Sequence, residues 1–114
     1  MSDNEVDIWT ILGKRWTLPI LNIVGSAESV GFREIKKVLA GISSTILSER
    51  LLELESVGFV TRKIQGSKIE YGLTADARDL EFMLAKIDRW WDVHRTTYQL
   101  AMSLSVDNDL GAGK

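Results

Sequence analysis

The chain has 114 residues, one histidine, no cysteine and a formal net charge of −2. Without cysteine there is no disulfide framework, no cysteine metal site, no thiol nucleophile and no thiol redox sensor. The length suits one domain with a moderate core. No apolar run approaches the roughly 18 residues of a membrane span. The opening MSDNEVDIW is acidic and lacks the regions of a secretory signal, so the expectation is a cytoplasmic, nucleoid-associated protein with no membrane partner.

Asp7 to Leu12 reads as a short helix carrying Ile8, Trp9, Ile11 and Leu12, broken by Gly13. A second helix follows, Trp16 to Val24, with Pro19 in its first turn, where a missing N–H costs little. Trp16, Ile20, Ile23 and Val24 form its buried side. After a connection with a minimal strand at Val30, Phe32 to Leu39 is a third helix. Phe32, Ile35, Val38 and Leu39 point inward, and Arg33, Lys36 and Lys37 outward.

Ala40-Gly41-Ile42 turns the chain into the stretch Ser43–Arg62, around which the rest is organised. Ser43 and Ser44 are of N-cap type, and Gly58 stands where a helix-ending glycine belongs. Leu47, Leu51 and Leu54 recur at helical spacing. Thr45, Ser48, Glu49, Leu52 and Ser56 fall on the opposite side, so small polar residues would let a duplex approach closely. Two short helices joined by a glycine-containing turn form the helix-turn-helix pattern. An ordinary surface helix of an α+β domain remains the plainer alternative.

Phe59 to Leu73 reads as a hairpin about Gly66-Ser67. This register sets Gln65 opposite Lys68, Ile64 opposite Ile69, Lys63 opposite Glu70, Arg62 opposite Tyr71 and Val60 opposite Leu73. Lys63 and Glu70 would pair across the strands, and Arg62 would lie on Tyr71. Thr74 is an N-cap with Asp76 in the first turn, suiting the helix dipole. No Gly or Pro then interrupts a helix reaching about Ser103. Its apolar residues, including Leu80, Met83, Leu84, Ile87, Trp90, Trp91 and Tyr98, approximate a 3–4 spacing. The expected organisation is one domain over residues 1–105 with a flexible tail over 106–114. The fold class is α+β, mostly α: a winged helix-turn-helix with a hairpin wing and a long C-terminal dimerisation helix. Ile8, Trp9, Leu12, Ile87, Trp90 and Trp91 are the expected homodimer contacts, because exposed apolar stripes mark interfaces.

Several segments together resemble one family. Gly13-Lys14-Arg15-Trp16-Thr17-Leu18-Pro19-Ile20-Leu21 is similar to the GGKWTLLIL opening of the HxlR family of bacterial and archaeal winged-helix regulators. Phe32-Arg33-Glu34-Ile35, Gly41-Ile42-Ser43, Leu47–Glu55, Gly58–Arg62 and Glu70–Thr74 resemble its later motifs in unbroken order. The resemblance implies a dimeric DNA-binding transcriptional regulator. It carries DNA contact onto Ser43, Ser44, Thr45, Ser48, Glu49 and Arg50, and wing contact onto Arg62 and Lys63. Many members carry a cysteine near the N-terminus; this chain has none.

The charge pattern agrees with this reading only in part. The net charge is negative, but residues 32–73 hold seven cations, Arg33, Lys36, Lys37, Arg50, Arg62, Lys63 and Lys68, against five glutamates. All but Arg50 are candidates for phosphate contact. Glu49 either accepts from a donor such as cytosine N4 or pairs with Arg50, Lys36 or Lys37. His94 reads as a packed or surface residue, since a metal site needs three or four ligands. Asp88, Arg89 and Asp92 read as a helical ion-pair cluster. No cofactor, metal or enzymatic constellation is implied. Trp9, Trp16, Trp90 and Trp91 could line a cavity for an aromatic effector, although core and dimer contacts are the favoured account of them. The rival function is a winged-helix protein-interaction module, which the near-neutral charge suits.

Overall fold

The structure, a computed structural model, describes residues 7–112. Five helices and three strands follow in order: α1 (Ile8–Leu12), α2 (Thr17–Gly25), β1 (Val30–Gly31), α3 (Phe32–Val38), α4 (Ser44–Ser56), β2 (Val60–Gln65), β3 (Lys68–Leu73) and α5 (Ala75–Ala112). The chain packs as two units, Met1–Glu81 and Phe82–Lys114.

In the first unit the strands form an antiparallel sheet of order β1-β3-β2. The β2–β3 register is the one the turn position demands, from Gln65 opposite Lys68 to Val60 opposite Leu73. Gly66 has φ +64°, and glycine at the first loop position is what a type II′ hairpin turn needs. Val30 pairs with Tyr71 and Gly31 with Glu70, so the minimal strand is present. The core is Ile20, Val24, Ile35, Leu47, Leu51, Leu54 and Val60, all at most 2% exposed. Burying one such side chain contributes about 1.5–3 kcal/mol. Helix α2 packs on β3, α3 on β1 and β3, and α4 on β2.

Three expectations fail on packing. Val38 is 64% exposed: it is the last residue of α3, and the inward side there is supplied by Leu39 and by the buried Ile42. In α2, Thr17 and Leu21 are buried, while Trp16 and Ile23 are only half-buried. Trp16 lies just ahead of the helix in the left-handed region, φ +80°, so helical spacing does not govern its burial. Leu12 is 8% exposed and belongs to this core rather than to a surface that could meet a second chain.

Element ends follow local chemistry. Asp7 accepts from the Trp9 N–H at 3.1 Å and caps α1. Ser43 Oγ accepts from the Ile46 N–H at 3.1 Å and caps α4. At the other end of α4, the Gly58 N–H donates to the Glu55 carbonyl and the Phe59 N–H to the Leu54 carbonyl, with Gly58 at φ +81°. That is a Schellman stop, and it leads directly into β2. Thr74 Oγ1 accepts from the Ala77 N–H at 3.1 Å and donates to the Gly58 carbonyl at 2.7 Å. Helix α5 continues to Ala112, past the end expected at Ser103 and into the segment expected to be flexible. No proline interrupts it, and an established helix adds one hydrogen bond per residue.

Thr74 therefore ties the start of α5 to the end of α4. Thr74→Ala should destabilise the protein by about 1–2 kcal/mol, and Thr74→Ser should recover most of the loss. Urea unfolding followed by circular dichroism checks both.

Candidate nucleic-acid interface

Helix α4 has two contrasting sides. Leu47, Leu51 and Leu54 are at most 1% exposed, which fixes the rotation of the helix. Ser44, Thr45, Ser48, Glu49 and Leu52 consequently face water. Ser43 is exposed too, but its oxygen is engaged as the cap. Glu49 makes no ion pair among the described residues: Arg50 turns to Glu53, and neither Lys36 nor Lys37 reaches Glu49.

The cations group in a way the sequence alone does not show. Arg33, Lys36 and Lys37 border a shallow hollow with Gly41 and Ile42 at the turn into α4. Arg33 also borders a groove of about 630 Å³ between the start of α3 and the wing, together with Phe32, Lys68 and Ile69. Arg33 thus connects the α3 cations to the wing. Glu34 and Glu70 lie on the same groove, so its field is mixed. Arg62, Lys63 and Lys68 are all exposed; strand alternation sets Arg62 on the face opposite to Lys63.

Two predicted pairings are replaced. Lys63 and Glu70 are opposite in register, but the Glu70 carboxylate accepts from the Ser29 hydroxyl at 2.7 Å, leaving Lys63 to solvent. In α5 the ion pair is Asp92 with Arg95 at 3.4 Å, one helical turn apart, rather than a cluster with Arg89. Burial pushes the Tyr71 hydroxyl above its ordinary pKa, with the Arg62 guanidinium opposing the shift and Glu55 adding to it.

Arg50 has work inside the protein. Its Nε donates to the Arg15 carbonyl at 3.0 Å, and its Nη1 reaches Glu53 Oε1 at 3.0 Å. The other oxygen of Glu53 holds Lys14 Nζ at 2.8 Å. The Arg15 guanidinium lies 5.0 Å from the centroid of the Trp16 ring, a cation–π distance. A clasp between the α1–α2 turn and α4 is the result. Sequence reading passed over Lys14 and Glu53 because 39 positions separate them and no local periodicity links them.

In the second unit every described side chain from Ala85 to Ser105 is exposed. Ile87, Trp90 and Trp91 are 54%, 60% and 50% exposed. Trp90 stacks on His94 at 5.0 Å and His94 on Tyr98 at 6.1 Å, a ladder at four-residue spacing. The histidine is a packed surface residue, as expected. In the first unit Trp9 is 69% exposed and Ile8 half-buried. Neither groove described above is lined by a tryptophan. No described helix is long and apolar enough to cross a membrane.

The clasp has unequal arms, because the side chain of Arg50 is 17% exposed and that of Lys14 is 43% exposed. Glu53→Gln should cost about 1–2 kcal/mol, since a sheltered guanidinium loses its counter-charge. Lys14→Met should cost below about 1 kcal/mol and respond more to salt. Denaturant titrations at low and high ionic strength separate the two.

Comparison with known proteins completes the picture. Residues 11–99 match the HxlR-like helix-turn-helix family. The HTH-type transcriptional regulator YvaP of Bacillus subtilis is 37% identical over 84 residues, covering 70% of this chain and 76% of that protein. The regulator YodB of the same organism is 31% identical over 87 residues, covering 74% and 77%. The reduced form of YodB superposes with a TM-score of 0.69 over 81% of this chain and 92% of that one. A possible HxlR family transcriptional factor from Thermoplasma volcanium is 30% identical with a TM-score of 0.68, covering 81% and 84%. The chain belongs to the HxlR-like helix-turn-helix family and is a DNA-binding transcription regulator of winged-helix form.

Proposed function

We propose that the chain acts as a homodimer in the cytoplasm and binds specific sites on double-stranded DNA, each α4 entering a major groove and each wing meeting the backbone. The carrying observation is the two-sidedness of α4, whose leucine stripe is in the core while Ser44, Thr45, Ser48 and Glu49 face out. Hydroxyls are permissive readers, and the Thr45 methyl can touch thymine. Glu49, with no ion-pair partner among the described residues, is the sharper reader: near phosphates a carboxylate needs a donor such as cytosine N4. Arg33, Lys36, Lys37, Arg62, Lys63 and Lys68 hold the register on phosphates. Arg50 is left out, because Glu53 and the Arg15 carbonyl occupy it.

Dimerisation rests on α5 and α1. Ile87, Trp90 and Trp91 lie along one strip of α5. At about 100° per residue, Phe82, Val93, Leu100 and Leu104 form a second strip, roughly a third of a turn away. All four are more than half exposed. Two exposed apolar strips suit a helix that meets two partner helices. Trp9 and Ile8 of α1 complete the set, without Leu12. Two copies would engage half-sites about one helical turn apart or a multiple of that.

A small-molecule effector is a second element of the proposal, favoured by the quinone-bound form in which YodB has been solved. This chain contains no cysteine, so its effector would not be held as a thiol adduct.

Titration of fluorescent duplexes selected from genomic DNA tests the interface. Lys63→Ala and Lys68→Ala should weaken all sequences alike and each lower the salt slope by about 1. Glu49→Ala should instead relax sequence preference, by about 1–3 kcal/mol at one base pair. Unchanged affinity and salt slope in both lysine variants would take the wing off the DNA. Sedimentation should show a dimer that Trp90→Ala with Trp91→Ala dissociates; a wild-type monomer at micromolar concentration would refute the dimer.

A further inference from the structure

The water-facing side of α4 is polar with one exception. Its exposed residues are Ser44, Thr45, Ser48, Glu49, Leu52 and Ser56. Leu52 is 66% exposed, an isobutyl group among hydroxyls and a carboxylate. The core side of the helix at this level is taken by Leu51 and Leu54, each 1% exposed, so Leu52 is held outward.

Spacing sets Leu52 in line with the residues assigned above to base edges. Thr45, Ser48, Glu49 and Leu52 stand at i, i+3, i+4 and i+7, one face of two helical turns. Homeodomain recognition helices set four side chains into the major groove with that same spacing. The residues beyond Leu52 are engaged within the protein. Glu53 is paired with Lys14 and Arg50, and the Ser56 hydroxyl donates to the Glu53 carbonyl at 2.7 Å. Leu52 therefore ends the row of exposed, uncommitted side chains on this face.

Chemistry narrows what an isobutyl group can read. It has neither donor nor acceptor, so hydrogen bonding cannot be its means. The apolar mark in the major groove is a pyrimidine C5-methyl group, carried by thymine or by a cytosine methylated at C5. Glu49 precedes Leu52 by one helical turn on the same face and suits the N4 donor of cytosine. A carboxylate beside an isobutyl group matches an amino group beside a methyl group. One methylated cytosine presents that pair, and so does a cytosine next to a thymine.

We propose that Leu52 is a specificity residue that reads a pyrimidine C5-methyl group at or beside the cytosine contacted by Glu49. The inference rests on the DNA-binding reading above and adds to it a determinant made of apolar contact alone.

The test removes or adds that one methyl group on the DNA. In the tightest duplex selected by wild type, each thymidine is replaced in turn by deoxyuridine, and each deoxycytidine in turn by its 5-methyl derivative. Binding is titrated for wild type, Leu52→Ala and Leu52→Met. Alanine is the strongest helix former and the position faces water, so α4 is retained, and circular dichroism verifies this. If thymine supplies the methyl group, deoxyuridine at one position of each half-site should weaken wild type by about fourfold per half-site, the effect of one buried methyl-sized group. If methylated cytosine supplies it, methylation at one position should tighten wild type by about the same factor. In either case Leu52→Ala should not respond at that position, and Leu52→Met, which keeps the apolar reach, should regain the response. Equal responses of wild type and Leu52→Ala at every position would overturn the proposal while leaving the DNA reading intact. A wild type that binds no duplex at low salt overturns the DNA reading and this inference with it.

Discussion

Burial of one leucine stripe governs what this protein can offer to DNA. Leu47, Leu51 and Leu54 are sealed in the core, so α4 cannot roll about its axis, and the hydroxyl face is held outward. Both ends of the helix are fixed by separate means: the Ser43 cap at one end and the Gly58 Schellman stop at the other. The stop also aims the chain into β2, so the wing inherits its direction from the end of the recognition helix. Thr74 then returns to Gly58 and ties α5 to the same point.

The surface charge is arranged rather than abundant. A net charge of −2 gives no long-range attraction to nucleic acid, and any attraction has to come from local placement within a Debye length of about 10 Å. Arg33 joins two concave surfaces, one carrying Lys36 and Lys37 and the other Lys68. The acids of the same region are partly spoken for. Glu53 is paired with Lys14 and Arg50, and Glu70 accepts from the Ser29 hydroxyl while keeping its charge.

Much of this was legible in the sequence where one local rule decided the outcome. The hairpin register followed from a two-residue loop, the caps at Ser43 and Thr74 from residue type, and the inward face of α4 from spacing alone. Failures came where distant parts of the chain compete. Val38 is apolar and correctly spaced, but α3 ends there and Ile42 takes the core position. Leu12 reads as surface in a short helix and is core once α2 packs on α1. Arg50 reads as a DNA contact until Glu53 and the Arg15 carbonyl are brought to it. Trp16 was misassigned because a positive φ outside glycine leaves no pattern in sequence.

The tight loop at Gly66-Ser67 also limits how this wing can change. Its strands have six residues each and no slack. Lengthening the hairpin by one residue per strand would carry everything beyond the insertion to the opposite face, trading isoleucines for lysines. Only steps of two residues per strand, about 7 Å of added reach, keep the same side chains on the same side. A hairpin of this kind can alter its chemistry gradually by substitution, but its length only in quanta.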